Sequence, residues 1–118
     1  MKYRKKKVAI IGCGYWGTNI IKTLISFKNL DLVCYDLNYK NLVNTKKRFS
    51  NISITQDLKL ILNDKNIKLV FICITTSQIF SIAKKCIVNN KNVFLEKPVS
   101  KNYKKISELY NLSKVKKI

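Results

Sequence analysis

V-A-I-I-G-C-G-Y-W-G, from Val8 to Gly17, carries a short apolar run straight into a helical pattern. Gly12, Gly14 and Gly17 are all the glycines the chain has. A G-x-G-x-x-G between a strand and a helix is the spacing of a dinucleotide-binding turn. Each glycine has its own task. Gly12 permits a tight turn, Gly14 lets the backbone approach a pyrophosphate, and Gly17 lets the helix pack closely on the strands. Free N–H groups and the helix dipole would then favour phosphate at the helix start.

The pattern alternates outward from this run to both ends. Val8–Ile11 is predicted as the first strand. Ile20, Ile21, Leu24 and Ile25 continue a helical stripe from Trp16. Leu30–Tyr35 is a second strand, and Tyr39, Leu42, Val43 and Phe49 mark a weaker helix. Ile52–Ile54 is a short third strand. Asp57 caps a helix carrying Leu58, Ile61 and Leu62. Leu69–Ile74 is apolar throughout, as a central parallel strand is. Ser77 caps the next helix, with Ile79, Ile82, Ala83, Cys86 and Ile87 on one face. Asn92–Glu96 is a fifth strand, followed by a helix with Ile106, Leu109 and Tyr110. About five alternating strands imply one α/β domain over residues 1–118, a doubly wound parallel sheet with right-handed crossovers. Ligands of such sheets bind outside the carboxyl ends of the strands.

Composition narrows the function classes. The chain has 118 residues and a formal charge of +18. Of 24 basic residues 22 are Lys, whereas bidentate recognition of bases and phosphates favours Arg. Lys, Asn and Ile fill 51 of 118 positions, a bias that an AT-rich coding sequence produces. The charge therefore reads as solvated surface, and a specific nucleic-acid partner is not expected. No apolar run approaches the ~20 residues of a membrane span, and none resembles a signal-peptide core. Cys13, Cys34, Cys73 and Cys86 show no C-x-x-C spacing, and without histidine they build no zinc site. They read as small packed thiols in a reducing, cytoplasmic compartment.

Candidate site residues follow the strands. Asp36 ends the second strand, 24 residues beyond Gly12. A carboxylate there accepts from ribose hydroxyls and repels a 2′-phosphate, favouring NAD over NADP. It could equally cap the following helix, and Lys40 blurs the preference. Thr75, Thr76 and Ser77 follow the fourth strand, where their hydroxyls serve either a cofactor or a helix cap. Glu96-Lys97-Pro98 closes the fifth strand. On chemistry alone Lys97 either orients a substrate hydroxyl or moves a proton, or else pairs with Glu96 as an ion pair before a strand-ending proline, the plainer reading.

Taken together, these segments resemble the N-terminal domain of the glucose–fructose oxidoreductase and inositol dehydrogenase family (Gfo/Idh/MocA) over essentially the whole chain. Val8–Asn19 resembles its first turn, and Tyr15-Trp16 resembles its sugar-nucleotide-related members. Tyr35-Asp36 matches its second strand end. Ile82–Cys86 and Lys91–Ser100 match its fourth helix and its Glu-Lys-Pro signature. The resemblance implies a Rossmann-type NAD-binding domain with Gly12, Gly14, Tyr15, Trp16, Gly17, Asp36, Thr75, Thr76, Glu96 and Lys97 at the cofactor. It implies Lys97 as the catalytic residue near nicotinamide and substrate, with Glu96 supporting the nicotinamide end.

The chain also departs from the family pattern. Ile74-Thr75 stands where Thr-Pro is frequent, and Ile79 where a histidine is. Family members carry a second α/β domain with most substrate contacts, and this chain ends before a sixth strand. The expectation is hydride transfer between nicotinamide and a sugar or sugar-nucleotide, with little turnover by the chain alone. A separate chain supplying the second domain, or a homo-oligomer, are the expected partners. The alternatives are a stand-alone nucleotide-binding module and a basic nucleic-acid-associated protein.

Overall fold

The computed structural model describes residues 5–95 and 102–117. In chain order the elements are β1 (Lys6–Ile11), α1 (Tyr15–Leu24), β2 (Leu30–Tyr35), α2 (Tyr39–Arg48) and β3 (Ser53–Thr55). They continue with α3 (Leu58–Leu62), β4 (Ile67–Ile72), α4 (Thr76–Val88), β5 (Asn92–Leu95) and α5 (Tyr103–Lys116). The strands form one sheet in the order β3-β2-β1-β4-β5, and every pairing is parallel.

Strand periodicity divides the core in two. Val8 and Ile10 of β1 point to the side where Ile21 of α1, Leu32 and Cys34 of β2 and Leu42 of α2 are buried. Ala9 and Ile11 point to the other side, against Ile61 of α3, Ile79, Ala83 and Cys86 of α4 and Leu109 of α5. Alternate residues on opposite faces are what a half-turn per residue dictates.

Strand β4 runs two residues earlier than the apolar run Leu69–Ile74 predicts. Lys68 is exposed between buried Ile67 and half-buried Leu69, which disguises the strand start. At the other end the Cys73 N–H still bonds the Ile11 carbonyl, at 2.8 Å, but the chain then turns against Gly12. The third strand is likewise Ser53–Thr55 rather than 52–54, while Ile52 is buried just before it. Ser77 does not cap α4. Thr75 occupies that position, and Ser77 lies inside the first turn.

The amino-terminal edge is held by charge. Lys7 pairs with Asp64 at 3.0 Å, and the Lys91 ammonium donates to the Asp64 carbonyl. These contacts tie β1, the turn before β4 and the approach to β5. At the opposite edge β1 lies between β2 and β4, so the chain leaves β1 in one direction and returns on the other side. The crevice of such a sheet opens at that reversal, between the carboxyl ends of β1 and β4.

Candidate functional site

The glycine-rich turn sits in that crevice, and its three glycines meet different constraints. Gly12 has φ +97°, a conformation that costs a side-chain-bearing residue, and a Cβ there would strike the Cys73 carbonyl. A Cβ on Gly17 would overlap the Gly12 carbonyl oxygen, so this glycine seats α1 on the turn. Gly14 has no atom within 4 Å of where its Cβ would stand. The turn itself does not require that glycine, and the space beside it is open.

Helix capping points to the same place. Asn38, Asp57 and Asn102 accept from the N–H two residues on and cap α2, α3 and α5. The first turn of α1 has no side-chain cap and no acidic residue. That of α4, begun by Thr75, also lacks a side-chain cap. Among the described residues, the two helices without a side-chain cap are the two that start at the crevice. Their first-turn N–H groups and dipoles would favour an anion, and the open position at Gly14 leaves room for one. A dinucleotide pyrophosphate fits this environment.

Asp36 lies across the turn and ties it to β2. Its Oδ2 accepts from the Cys13 N–H at 2.9 Å and from Asn41 Nδ2 at 3.1 Å, and its Oδ1 accepts from the Asn38 N–H at 2.8 Å. Asn38 is the residue that caps α2, so capping does not account for Asp36. Burial raises the pKa of neighbouring Tyr35, with the Asp36 charge adding to it, so its phenol stays protonated.

A cleft of about 410 Å³ joins these parts. Gly12, Gly14, Tyr15, Trp16, Asp36 and Thr75 line it, so six of the sequence-predicted residues share one space. Gly17 is buried beneath the turn as a packing residue. Thr76 is the first residue of α4. Tyr15 and Trp16 are mostly exposed and meet edge to face, with ring centroids 5.3 Å apart. Glu96 and Lys97 lie outside the described residues.

Sequence reasoning missed Asn41, Leu37, Gln78 and Ile82 in the cleft lining. Asn41 and Gln78 share a signal that could have found them. Each falls in the first turn of a helix that follows a carboxyl-edge strand, where side chains face the crevice. Thiols also gather under the turn. Cys13 donates to the Tyr35 carbonyl at 3.6 Å, while Cys73 lies partly exposed in the cleft wall. The neighbouring Cys34 thiol, burial and then the Asp36 carboxylate push the Cys13 pKa up. No group of three or more metal-ligating side chains occurs among the described residues.

Known proteins agree with this geometry. The family model of an oxidoreductase family with an NAD-binding Rossmann fold (GFO/IDH/MocA) matches residues 6–117. A segment of 68 residues, 58% of this chain, is 38% identical to the uncharacterized oxidoreductase YhhX of Escherichia coli (strain K12) and covers 20% of that protein. GenD2 from gentamicin A biosynthesis, solved in complex with NAD, is 22% identical with a TM-score of 0.89, over 98% of this chain and 33% of that one. Myo-inositol 2-dehydrogenase from Lactobacillus plantarum is 22% identical with a TM-score of 0.82, over 95% of this chain and 34% of that one. The chain thus spans about a third of those solved chains, and its match a fifth of the curated relative. With the strand order, the glycine-rich turn and the family match in agreement, the chain belongs to the Gfo/Idh/MocA oxidoreductase family, of which it is an NAD-binding Rossmann domain.

Proposed function

We propose that residues 1–118 are the cofactor-binding part of an oxidoreductase that moves a hydride between nicotinamide and a sugar or sugar-nucleotide carbon. The observation that carries this is the crevice between β1 and β4. An uncapped α1, an open Gly14 and a carboxylate at Asp36 meet there. The α1 N–H groups would hold the pyrophosphate, Asp36 the adenosine ribose, and Tyr15, Trp16, Thr75 and Thr76 the walls. NAD is preferred because a fixed carboxylate repels a 2′-phosphate. When bound, the nicotinamide supplies the redox chemistry, and the protein orients the dinucleotide and excludes water. Lys97, beside Glu96, is the residue that would hold or move a proton at the substrate hydroxyl.

A polyhydroxylated substrate is in keeping with the myo-inositol 2-dehydrogenase among its structural neighbours. Most substrate contacts belong to a second domain, carried by a longer or a separate chain. The 118-residue chain alone then binds NAD but turns over no sugar, and this reading puts it in a reducing cytoplasm, with which its packed thiols are in keeping. Titration calorimetry tests this directly. One NAD per chain in wild type, and none in Gly14→Asp, is the expected result. Stoichiometric binding that survives Gly14→Asp would overturn the site, and robust dehydrogenase turnover by the isolated chain would overturn the division of labour.

A further inference from the structure

Asp36 has less free acceptor capacity than a lone carboxylate. A carboxylate offers about four lone-pair positions, and three are already taken. Cys13 and Asn38 supply backbone N–H groups that the turn and α2 fix in place. The third donor is a side chain, Asn41 Nδ2 at 3.1 Å. Asn41 is half-buried in the first turn of α2 and lines the same cleft as Asp36. The two groups meet five residues apart, a separation that one helical turn after a strand end brings together. The Asp36 carboxylate is therefore gripped from both sides, with one acceptor position left on Oδ1.

We propose that Asn41 is a positioning residue that sets the choice between NAD and NADP. This rests on the reading of Asp36 as the ribose-binding residue. The amide keeps Asp36 from rotating, so its remaining lone pair stays available to one ribose hydroxyl and its negative charge stays where a 2′-phosphate would arrive. Without the amide the carboxylate is held by its two backbone N–H partners alone and gains play about them. That play weakens both the ribose hydrogen bond and the repulsion that disfavours NADP. Asn41 is itself uncharged, so it neither attracts nor repels the phosphate and acts through Asp36. Discrimination matters in this chain, because a charge of +18 attracts the more highly charged NADP without any specific contact.

Binding of NAD and of NADP to the full 118-residue chain, by titration calorimetry at about 150 mM salt, tests the proposal. Asn41→Ala is expected to lower the NAD-over-NADP affinity ratio about tenfold, chiefly by weakening NAD, which is the scale of one hydrogen bond to a charged group. Asn41→Ser, too short to reach Asp36, gives the same shift should the alanine variant fold poorly. In an Asp36→Ala background the Asn41 substitution changes the ratio no further. An unchanged ratio in both Asn41 variants, or an equal shift with and without Asp36, overturns the proposal. The underlying reading fails separately. If Asp36→Ala leaves the ratio of the wild-type chain intact, Asp36 is not the ribose ligand at all.

Discussion

At the scale of single residues, the three glycines separate folding from binding. Gly12 and Gly17 are demanded by the turn itself, one by its positive φ and both by backbone carbonyls where a Cβ would go. Gly12→Ala and Gly17→Ala are each expected to destabilise the chain by more than about 3 kcal/mol, or to prevent folding, because backbone cannot yield as a flexible side chain can. Gly14→Ala meets open space, so thermal melts should shift little while NAD affinity falls. A large loss of stability from Gly14→Ala would contradict the open position. The thiols divide in the same way. Cys34 and Cys86 are fully buried, and burial pushes the Cys86 pKa up to about 11. Cys73 is partly exposed in the cleft, with its Cβ 3.7 Å from where a Gly17 side chain would begin. A thiol reagent should label Cys73 first, and bound NAD should slow that labelling. Mass spectrometry that finds Cys34 or Cys86 labelled ahead of Cys73 would count against this packing.

At the scale of elements, α1 and α4 lack the side-chain caps that α2, α3 and α5 carry. Asn38→Ala and Asp57→Ala remove side-chain acceptors from Lys40 and Lys59 N–H groups, each at 3.0 Å, and should each cost about 1 kcal/mol in urea titration. Gly14→Asp does the reverse at α1. It adds an acceptor and a negative charge at an N-cap with extended backbone, so the helix gains up to about 1 kcal/mol while the pyrophosphate is repelled. Greater stability with abolished NAD binding is the expected pair of outcomes, and a loss of stability would show that α1 is not limited by its cap. Much of this level was legible in the sequence. Leu30–Tyr35 is found with the bounds predicted for it, because its apolar residues end at a polar Asp36. The ends of β4 were not legible, because exposed Lys68 interrupts the apolar signal at one end and Cys73-Ile74 prolongs it at the other. The Gly12, Gly14 and Asp36 positions in the cleft followed from spacing alone. Asn41 did not, because its part depends on a side-chain hydrogen bond that no periodicity encodes.

At the scale of the whole molecule, two ionisable groups at the amino-terminal edge give stability a pH dependence of known sign. Asp64 is held below the usual carboxylate range, first by the Lys7 hydrogen bond and then by the Asn66 N–H. Its folded value lies below its unfolded one, so its contribution is complete above the unfolded value of about 3.9 and is lost as pH falls through the folded value. Asp64→Asn should therefore flatten the acid limb of stability measured by urea titration. Lys91 is 2% exposed, and burial lowers its pKa against the opposing pull of Asp64 and Cys86. The unfolded chain then binds the extra proton between the folded value and about 10.4, so the Lys91 contribution rises with pH across that window. The total charge of +18 complicates a direct reading, because deprotonating many surface lysines also relieves repulsion as pH rises. A difference between two chains removes that common part. Lys91→Met keeps the buried stem, removes the desolvated charge and gives up the bond to the Asp64 carbonyl, effects that nearly cancel to within about 1 kcal/mol near neutrality. As pH is raised toward 10 the wild-type chain should gain stability relative to Lys91→Met, since only the wild type can shed that proton. A difference that stays flat from pH 7 to about 10 would mean that Lys91 meets water freely, and that the amino-terminal edge is not closed over it.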